Sequence, residues 1–503
     1  MGIVFRQSIK TSLVVFTGAL LGTLIIWLST EFIAKQSYGF TQNLTRDTIV
    51  FSQISILGLN STMVVFIHKY GDKDIRRRLL LALCLLTPVV FALIGAIPFY
   101  FLRPWVLRHF QPDDIPFMQR YYMLLPFFTV LMTLQVLLEQ YLGTQMRVAV
   151  AAFMREIVLR VLSIAIILLY AFNYVSFDFL VIGMVVVYLV PVLIYIFLAA
   201  KTAGFGFSLK ISAFNKTEYK ELANFSWYHF LLSLSITLMG YLDGIALPLY
   251  DHKGLSAVAV YGVAVFLISF MQIPSKAMMT PTITVLSQAM AANDRRKAKD
   301  IFERSSINVL LASLFMAVLI ICNLENAVAV LKEGYSQIIL IFIILFIGRF
   351  VDLSTGLNDA MLSITNYYKF SFYVSIVMIA ILFTLIKILV PHYGVYGAAW
   401  STTITLVVFN VCKYIFVWKK LDMQPFSGNT VLVLIIGTTA FTAGYFFPHL
   451  FSGMGHKYIS AVADVCLRSS IVVAVFLLMT YWLKPSADLR EYIASIKKNK
   501  RLF

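Results

Sequence analysis

Charged side chains standing inside long apolar runs are the residues of this sequence whose chemistry most needs a reason. At the centre of a bilayer each one costs roughly 2.5–3.5 kcal/mol on insertion scales, so an intramembrane ion points to function. Arg349 stands about midway along one such run, with Asp352 one turn on and Asp359 two turns further along the same expected helix face. A guanidinium presents five N–H donors in a planar fork that matches carboxylates and phosphates bidentately. Two readings follow. Either Arg349 grips an anion while Asp352 orients it or binds a coupling cation, or the two form an intrahelical ion pair that supports packing. Lys276 lies between Pro274 and Pro281. Two prolines seven residues apart predict a bent or broken helix whose freed carbonyls need protein or water around them. At such a bend Lys276 either faces a cavity or snorkels to the membrane surface.

The remaining candidates are more peripheral. Asp243, just before Gly244, is read as a proton or sodium site or as a partner for Lys276. Glu31, Arg46 and Asp47 are placed near the outer ends of the first two runs, as a gate or as interfacial anchors. Glu139, Arg155, Glu156 and Arg160 surround a later connection, and Glu156 with Arg160 has the favourable i,i+4 order of a helix pair. They read as an inner gate or a structural pair. Asp464 and Arg468 repeat that spacing, as candidates for a groove holding a lipid tail. Asp72-Lys73-Asp74 matches the D-x-D of metal-dependent glycosyltransferases, but it sits in a tight turn beside an arginine run, with no catalytic domain around it. No H-E-x-x-H, P-loop or G-x-S-x-G occurs, so no catalytic residue, metal or cofactor is expected, and any energy source is a gradient of H+ or Na+ or substrate mass action. Four scattered cysteines suggest neither a disulfide framework nor a zinc site.

The elements that position these residues are membrane spans. The chain has 503 residues, 60% hydrophobic and 13% charged, and its mean hydropathy is +0.85. Apolar runs of about 20 residues, the length that crosses the hydrocarbon core, recur along it. About fourteen are expected, near 11–34, 47–68, 79–102, 118–142, 154–174, 178–200, 225–249, 256–287, 305–323, 337–360, 370–390, 394–417, 429–448 and 462–483. The fold class is therefore all-α and polytopic. Lys and Arg alternate between sides. One side carries Arg6 and Lys10, Lys73 with Arg76–Arg78, Lys201 to Lys220, Arg295 to Arg304, Lys419 and Lys420, and the tail. The other side is poor in them, which places both termini in the cytoplasm. The net charge of +17 then follows from topology, and no nucleic-acid partner is needed. The basic tail 484–503 reads either as a cluster that fixes topology or as a segment near anionic lipid.

An internal repeat organises the spans. Tyr38-Gly39 and Tyr261-Gly262 each lead into a long run that ends in a basic loop, at Asp72 and Asp294, 33 and 32 residues beyond the glycine. Two parallel six-helix lobes, 1–200 and 201–420, with two more helices over 421–483, fit this pattern, and parallel repeats are a transporter device.

Several stretches then resemble a known family. Tyr38-Gly39-Phe40 through Ile56-Leu57-Gly58-Leu59-Asn60 to Phe66-Ile67-His68-Lys69-Tyr70 is similar to the second helix of polysaccharide-exporting flippases. Val260-Tyr261-Gly262, Gln272-Ile273-Pro274, Pro281 and Leu286-Ser287-Gln288 look like their eighth helix, and Gly394-Val395-Tyr396-Gly397-Ala398-Ala399-Trp400 resembles the opening of their twelfth. The family is the O-antigen or capsule (Wzx-type) flippases of the multidrug/oligosaccharidyl-lipid/polysaccharide exporter superfamily. The resemblance implies movement of an undecaprenyl-diphosphate-linked oligosaccharide from the cytoplasmic to the periplasmic leaflet of a bacterial inner membrane. It further implies alternating access, often ion-coupled, alongside polysaccharide polymerase machinery. A multidrug or cation antiporter would favour acidic cavity residues, whereas Arg349 and Lys276 favour an anion. A peptidoglycan-precursor flippase shares the span count. A polymerase or ligase would need a larger outer loop than 103–117 or 449–461 provides.

Overall fold

The computed structural model describes residues 2–145, 147–365, 367–448 and 457–491. Of the expected basic tail 484–503, the part beyond 491 lies outside the described residues, as do the side chains of Arg6, Lys10 and Pro281. Among the described residues every regular element is a helix. In hydrocarbon this is the economical solution, because a helix satisfies its backbone polar groups within one segment. Among the described residues eleven helices are long and apolar enough to cross a membrane, and a bent pair, Lys35–Ile56 with Leu59–Lys69 at 53°, makes a twelfth. Large apolar side chains such as Phe101 and Trp482 stay about three-quarters exposed, at 74% and 75%, as a lipid-facing surface requires. The chain is a multi-pass membrane protein.

Two of the fourteen expected spans are not among these twelve. The run at 154–174 lies in a continuous helical stretch, 148–171, that carries a π turn at Met154–Val158. The run at 337–360 stops at Ser354 after 17 residues, and the chain passes Gly356 at φ +76° before Asn358–Ser363 begins. Hydrophobicity alone carries no signal for the stop at Ser354.

The chain forms two compact units, 1–259 and 260–503. In the first, the second helix starts at Lys35, twelve residues before the expected span, so Tyr38-Gly39 lies inside it. Gly39 touches the backbone of Leu255, whose carbonyl oxygen would be 1.7 Å from any added Cβ. The bend falls at Leu57 and Gly58, both left-handed (φ 53° and 73°). The Lys216–Tyr250 helix seats on it. Ser226 Oγ donates to the freed Leu57 carbonyl (3.1 Å), and Thr62 Oγ1 donates to Ser226 Oγ (3.1 Å). That helix begins before the expected 225 because Asn215 and Glu218 form a reciprocal capping box, each bond 2.8 Å. A core of Ile56, Met63, Leu81, Tyr141, Tyr195 and their neighbours packs this unit.

In the second unit the expected break appears as a 3-10 turn, Phe270–Gln272, followed by Ile273–Ala291 with Pro274 in its first turn. Proline is tolerated there because that N–H has no intrahelical partner. Ile338–Ser354 packs closely on Val395–Leu421, where Gly348 faces the Thr403 backbone and Thr403 Oγ1 donates to the Ile344 carbonyl (2.8 Å). The Gly428–Tyr445 and Lys457–Leu483 helices share a core with Arg295–Cys322 through Leu314, Ile436 and Val472.

Candidate functional site: intramembrane charges

Arg349 and Asp352 lie one turn apart near the C-terminal end of Ile338–Ser354, about three-quarters buried, with Nη1 donating to Asp352 Oδ2 at 2.7 Å. The other edge of the guanidinium meets the 3-10 turn. With its carboxamide oxygen toward the arginine, Gln272 accepts from Nε and Nη2, both at 3.1 Å. Three of the five N–H groups are thereby used. The two that remain, one on each terminal nitrogen, have no other acceptor among the described residues. Such a group is held in place and still able to donate to an anion.

Asp359 does not continue this face. The stop at Ser354 and the left-handed Gly356 move it onto the separate Asn358–Ser363 helix. There its carboxylate accepts from Lys413 Nζ (2.8 Å), a cation on Val395–Leu421 that is 1% exposed and also sits over the Phe409 ring at 3.8 Å. Lys413 is not among the candidates named from the sequence. Its signal was available: a lysine next to Cys412 and one turn beyond Asn410, inside an otherwise apolar run. Lys276 lies one turn after Gln272 and is exposed.

In the first unit Asp243 is buried and its carboxylate accepts from the Gly244 N–H at 2.6 Å. Gly244 lets Arg46 lie across the helix, since a Cβ there would fall 2.3 Å from Arg46 Nη1. Arg46 and Asp47 therefore stand well inside the helix that starts at Lys35, and not at its outer end. Arg46 Nη2 donates to Gln42 (3.3 Å), Asp47 accepts from Asn43 (2.8 Å), and Arg46 Nη1 is buried without a hydrogen-bond partner among the described residues. Glu31 sits half-buried at the end of Gly2–Phe32.

Glu156 and Arg160 do come together, at 2.7 Å, in a chain of four charges. Arg155 bridges Glu139 and Glu156, and Arg160 also donates to the Gly18 carbonyl. Gly18 is needed there, as a Cβ would fall 2.8 Å from that of Glu156. Asp464 and Arg468 form a buried pair (2.9 Å). Arg468 donates to the carbonyls of Gly444, Tyr445 and Phe447, capping the Gly428–Tyr445 helix, and Asn326 donates to Asp464 (2.6 Å). A separate groove of about 190 Å³ between Phe51, Phe91, Phe99 and Pro126 is apolar and holds none of these charges.

Outside the spans, Asp72-Lys73-Asp74 is a structural turn. Asp72 pairs with Arg77 (2.7 Å), and Asp74 caps the next helix through the Arg76 N–H (2.9 Å). Hydrogen bonds from Arg76 hold the Asp74 carboxyl below its usual range. Burial pushes the Asp114 carboxyl up, although it accepts from Gln36 and from the Leu255 N–H, both at 2.8 Å.

No protein-family model and no curated protein matches the sequence. Solved structures do match. One described as "Lipid II flippase MurJ, inward closed conformation" aligns with a TM-score of 0.72 at 13% identity, over 94% of this chain and 98% of that one. An inward-facing MATE-family multidrug transporter of the MOP superfamily aligns with a TM-score of 0.60 at 14% identity, over 81% and 94%. A MOP-superfamily transporter from Pyrococcus furiosus, described by a binding pocket of reversed polarity, aligns with a TM-score of 0.54 at 13% identity, over 83% and 96%. The chain is built on the fold these membrane transporters share.

Proposed function

We propose that the protein is a flippase that carries a polyprenyl-diphosphate-linked oligosaccharide across a bacterial inner membrane by alternating access, from the cytoplasmic to the periplasmic leaflet. The observation that carries this reading is Arg349, a guanidinium inside an apolar helix, fixed on two edges with two N–H donors to spare. A diphosphate crossing hydrocarbon needs such a donor, and its glycan needs a polar path while the prenyl tail stays in lipid. Lys276 is the second cationic contact. Asp352 orients Arg349, and Asp243, with Asp359, serves ion coupling or charge pairing. Arg46 and Asp47 with Glu31, and Glu156 with Arg160, serve as gates. Two six-helix lobes rock about the site, and both termini lie in the cytoplasm.

A second reading, flipping of the peptidoglycan lipid precursor, is favoured by one observation. The lipid II flippase structure aligns with 94% of this chain, against 81% and 83% for the two other transporters described above. Gene disruption separates the two. Loss of surface polysaccharide with lipid-linked repeat units accumulating inside is the expected result. Lysis with accumulation of the peptidoglycan precursor selects the second reading, and normal polysaccharide and envelope refute both. Arg349→Ala should abolish export while the protein still inserts; full export would remove Arg349 from the site.

A further inference from the structure

Gln272 does for Arg349 what a carboxylate would do, but without charge. Its oxygen takes the Nε and Nη2 donors at 3.1 Å each, while Asp352 takes one donor on Nη1 at 2.7 Å. Arg349, Asp352 and Gln272 therefore sum to zero net charge, with two N–H groups left over. A glutamate at 272 would fit the same edge at least as well, since arginine–carboxylate pairs are commonly bidentate. It would also leave the triad with a net negative charge. The position is a fixed one. Gln272 ends a 3-10 turn, and Pro274, with its φ locked by the ring, follows two residues later.

We propose that Gln272 is a specificity-determining residue. Its neutrality keeps the remaining Arg349 donors open to an anionic headgroup, and a carboxylate in its place turns the triad toward cations. The proposal rests on the reading that the cargo is an anionic lipid, and it adds which residue sets that preference. Asp352 is the opposing weight. Removing its charge while keeping an acceptor oxygen biases the site further toward anions.

The test uses the full-length protein in lipid nanodiscs, with farnesyl diphosphate as the anionic probe, farnesol as its uncharged control and tetraphenylphosphonium as the cationic probe. The wild type should bind farnesyl diphosphate more tightly than farnesol. One added negative charge a few ångströms from the bound anion should make Gln272→Glu bind the diphosphate about tenfold more weakly and gain affinity for the phosphonium. Asp352→Asn should bind the diphosphate about tenfold more tightly, and the double variant should return to the wild-type value, with thermal midpoints unchanged or raised. A merely structural acceptor at 272 predicts that Gln272→Glu keeps wild-type binding of both probes, and that result overturns the proposal. Should Gln272→Glu fail to insert, Asp352→Asn alone decides, because a variant that does not tighten overturns it too. A wild type that does not distinguish the diphosphate from farnesol refutes the anionic-cargo reading itself, a different pattern from the failure of Gln272 alone.

Discussion

Both units interrupt a long helix beyond a Tyr-Gly pair, and the two interruptions are made of different materials. In the first unit the break follows Gly39 by about five turns, at Leu57-Gly58, and a neighbouring helix takes up the carbonyl it frees at Leu57. Ser226 takes the Leu57 carbonyl, and the Lys216–Tyr250 backbone presses on Gly58. In the second unit the break comes much sooner after Gly262, at Phe270–Gln272, and its last residue turns a side chain onto Arg349. A break against which another helix backbone is pressed is a fixed corner. One whose side chain holds an arginine with donors to spare is a place for a ligand. The same contrast separates the buried charges. Arg468 spends its donors on Asp464 and three carbonyls, whereas Arg349 does not.

The largest effect should come from testing that contrast directly. Arg468→Ala removes the buried guanidinium that pairs with Asp464 and uncaps the Gly428–Tyr445 helix, and removing one partner of a buried pair typically costs about 3–5 kcal/mol. Thermal unfolding in detergent should show a large loss, whereas Arg349→Ala, at a more accessible pair, should lose transport with little loss of stability. Equal losses of stability would erase the distinction between a capping charge and a binding charge. Next is the corner itself. Gly58→Ala puts a Cβ about where the Ser226 carbonyl stands (2.2 Å) at a positive φ, so a loss of about 1–3 kcal/mol is expected. Ser226→Ala removes the hydrogen bond to the Leu57 carbonyl and the one accepted from Thr62 Oγ1, and should cost about 1–2 kcal/mol. If Ser226→Ala costs more than Gly58→Ala, the corner is held by the hydrogen bonds and not by close packing.

How far the sequence carried these conclusions depends on the scale of the feature. Long apolar runs set the membrane class and most helices, because twenty apolar residues have one low-energy arrangement in a bilayer. Polar stretches misled. Lys35–Ile56 carries Arg46, Asp47 and many hydroxyls and amides, so its first half reads as loop although it is helix. Asn215-Lys216-Thr217-Glu218 was a legible capping box that moves the next helix start before 225. At the site, the Arg349–Asp352 pair followed from helical spacing alone. Asp359 did not stay on that face because a single left-handed glycine redirects the chain, and its partner Lys413 lies 54 residues away. Gln272 was within reach only as part of a motif; contact between a turn and a distant helix has no local signature.

The smallest expected effect concerns a charge outside the spans. Asp114 is 2% exposed and receives the Leu255 N–H at the start of Gly254–Ser269 and the Gln36 amide from the first turn of Lys35–Ile56. Burial raises its carboxyl above the ordinary value of 3.8 despite these donors. The folded protein therefore holds that proton more tightly than the unfolded chain does. Its contribution to stability is fully present below the unfolded value and is lost as pH rises through the folded one. Asp114→Asn keeps an acceptor oxygen and has no proton to lose. The difference in thermal midpoint between wild type and variant should thus favour the wild type most at the acid end and shrink as pH climbs past that window, then stay flat. A difference that grows with pH would mean that the donors from Leu255 and Gln36 outweigh burial. The corner at Asp114 would then be held by an ionised carboxylate served by its two donors.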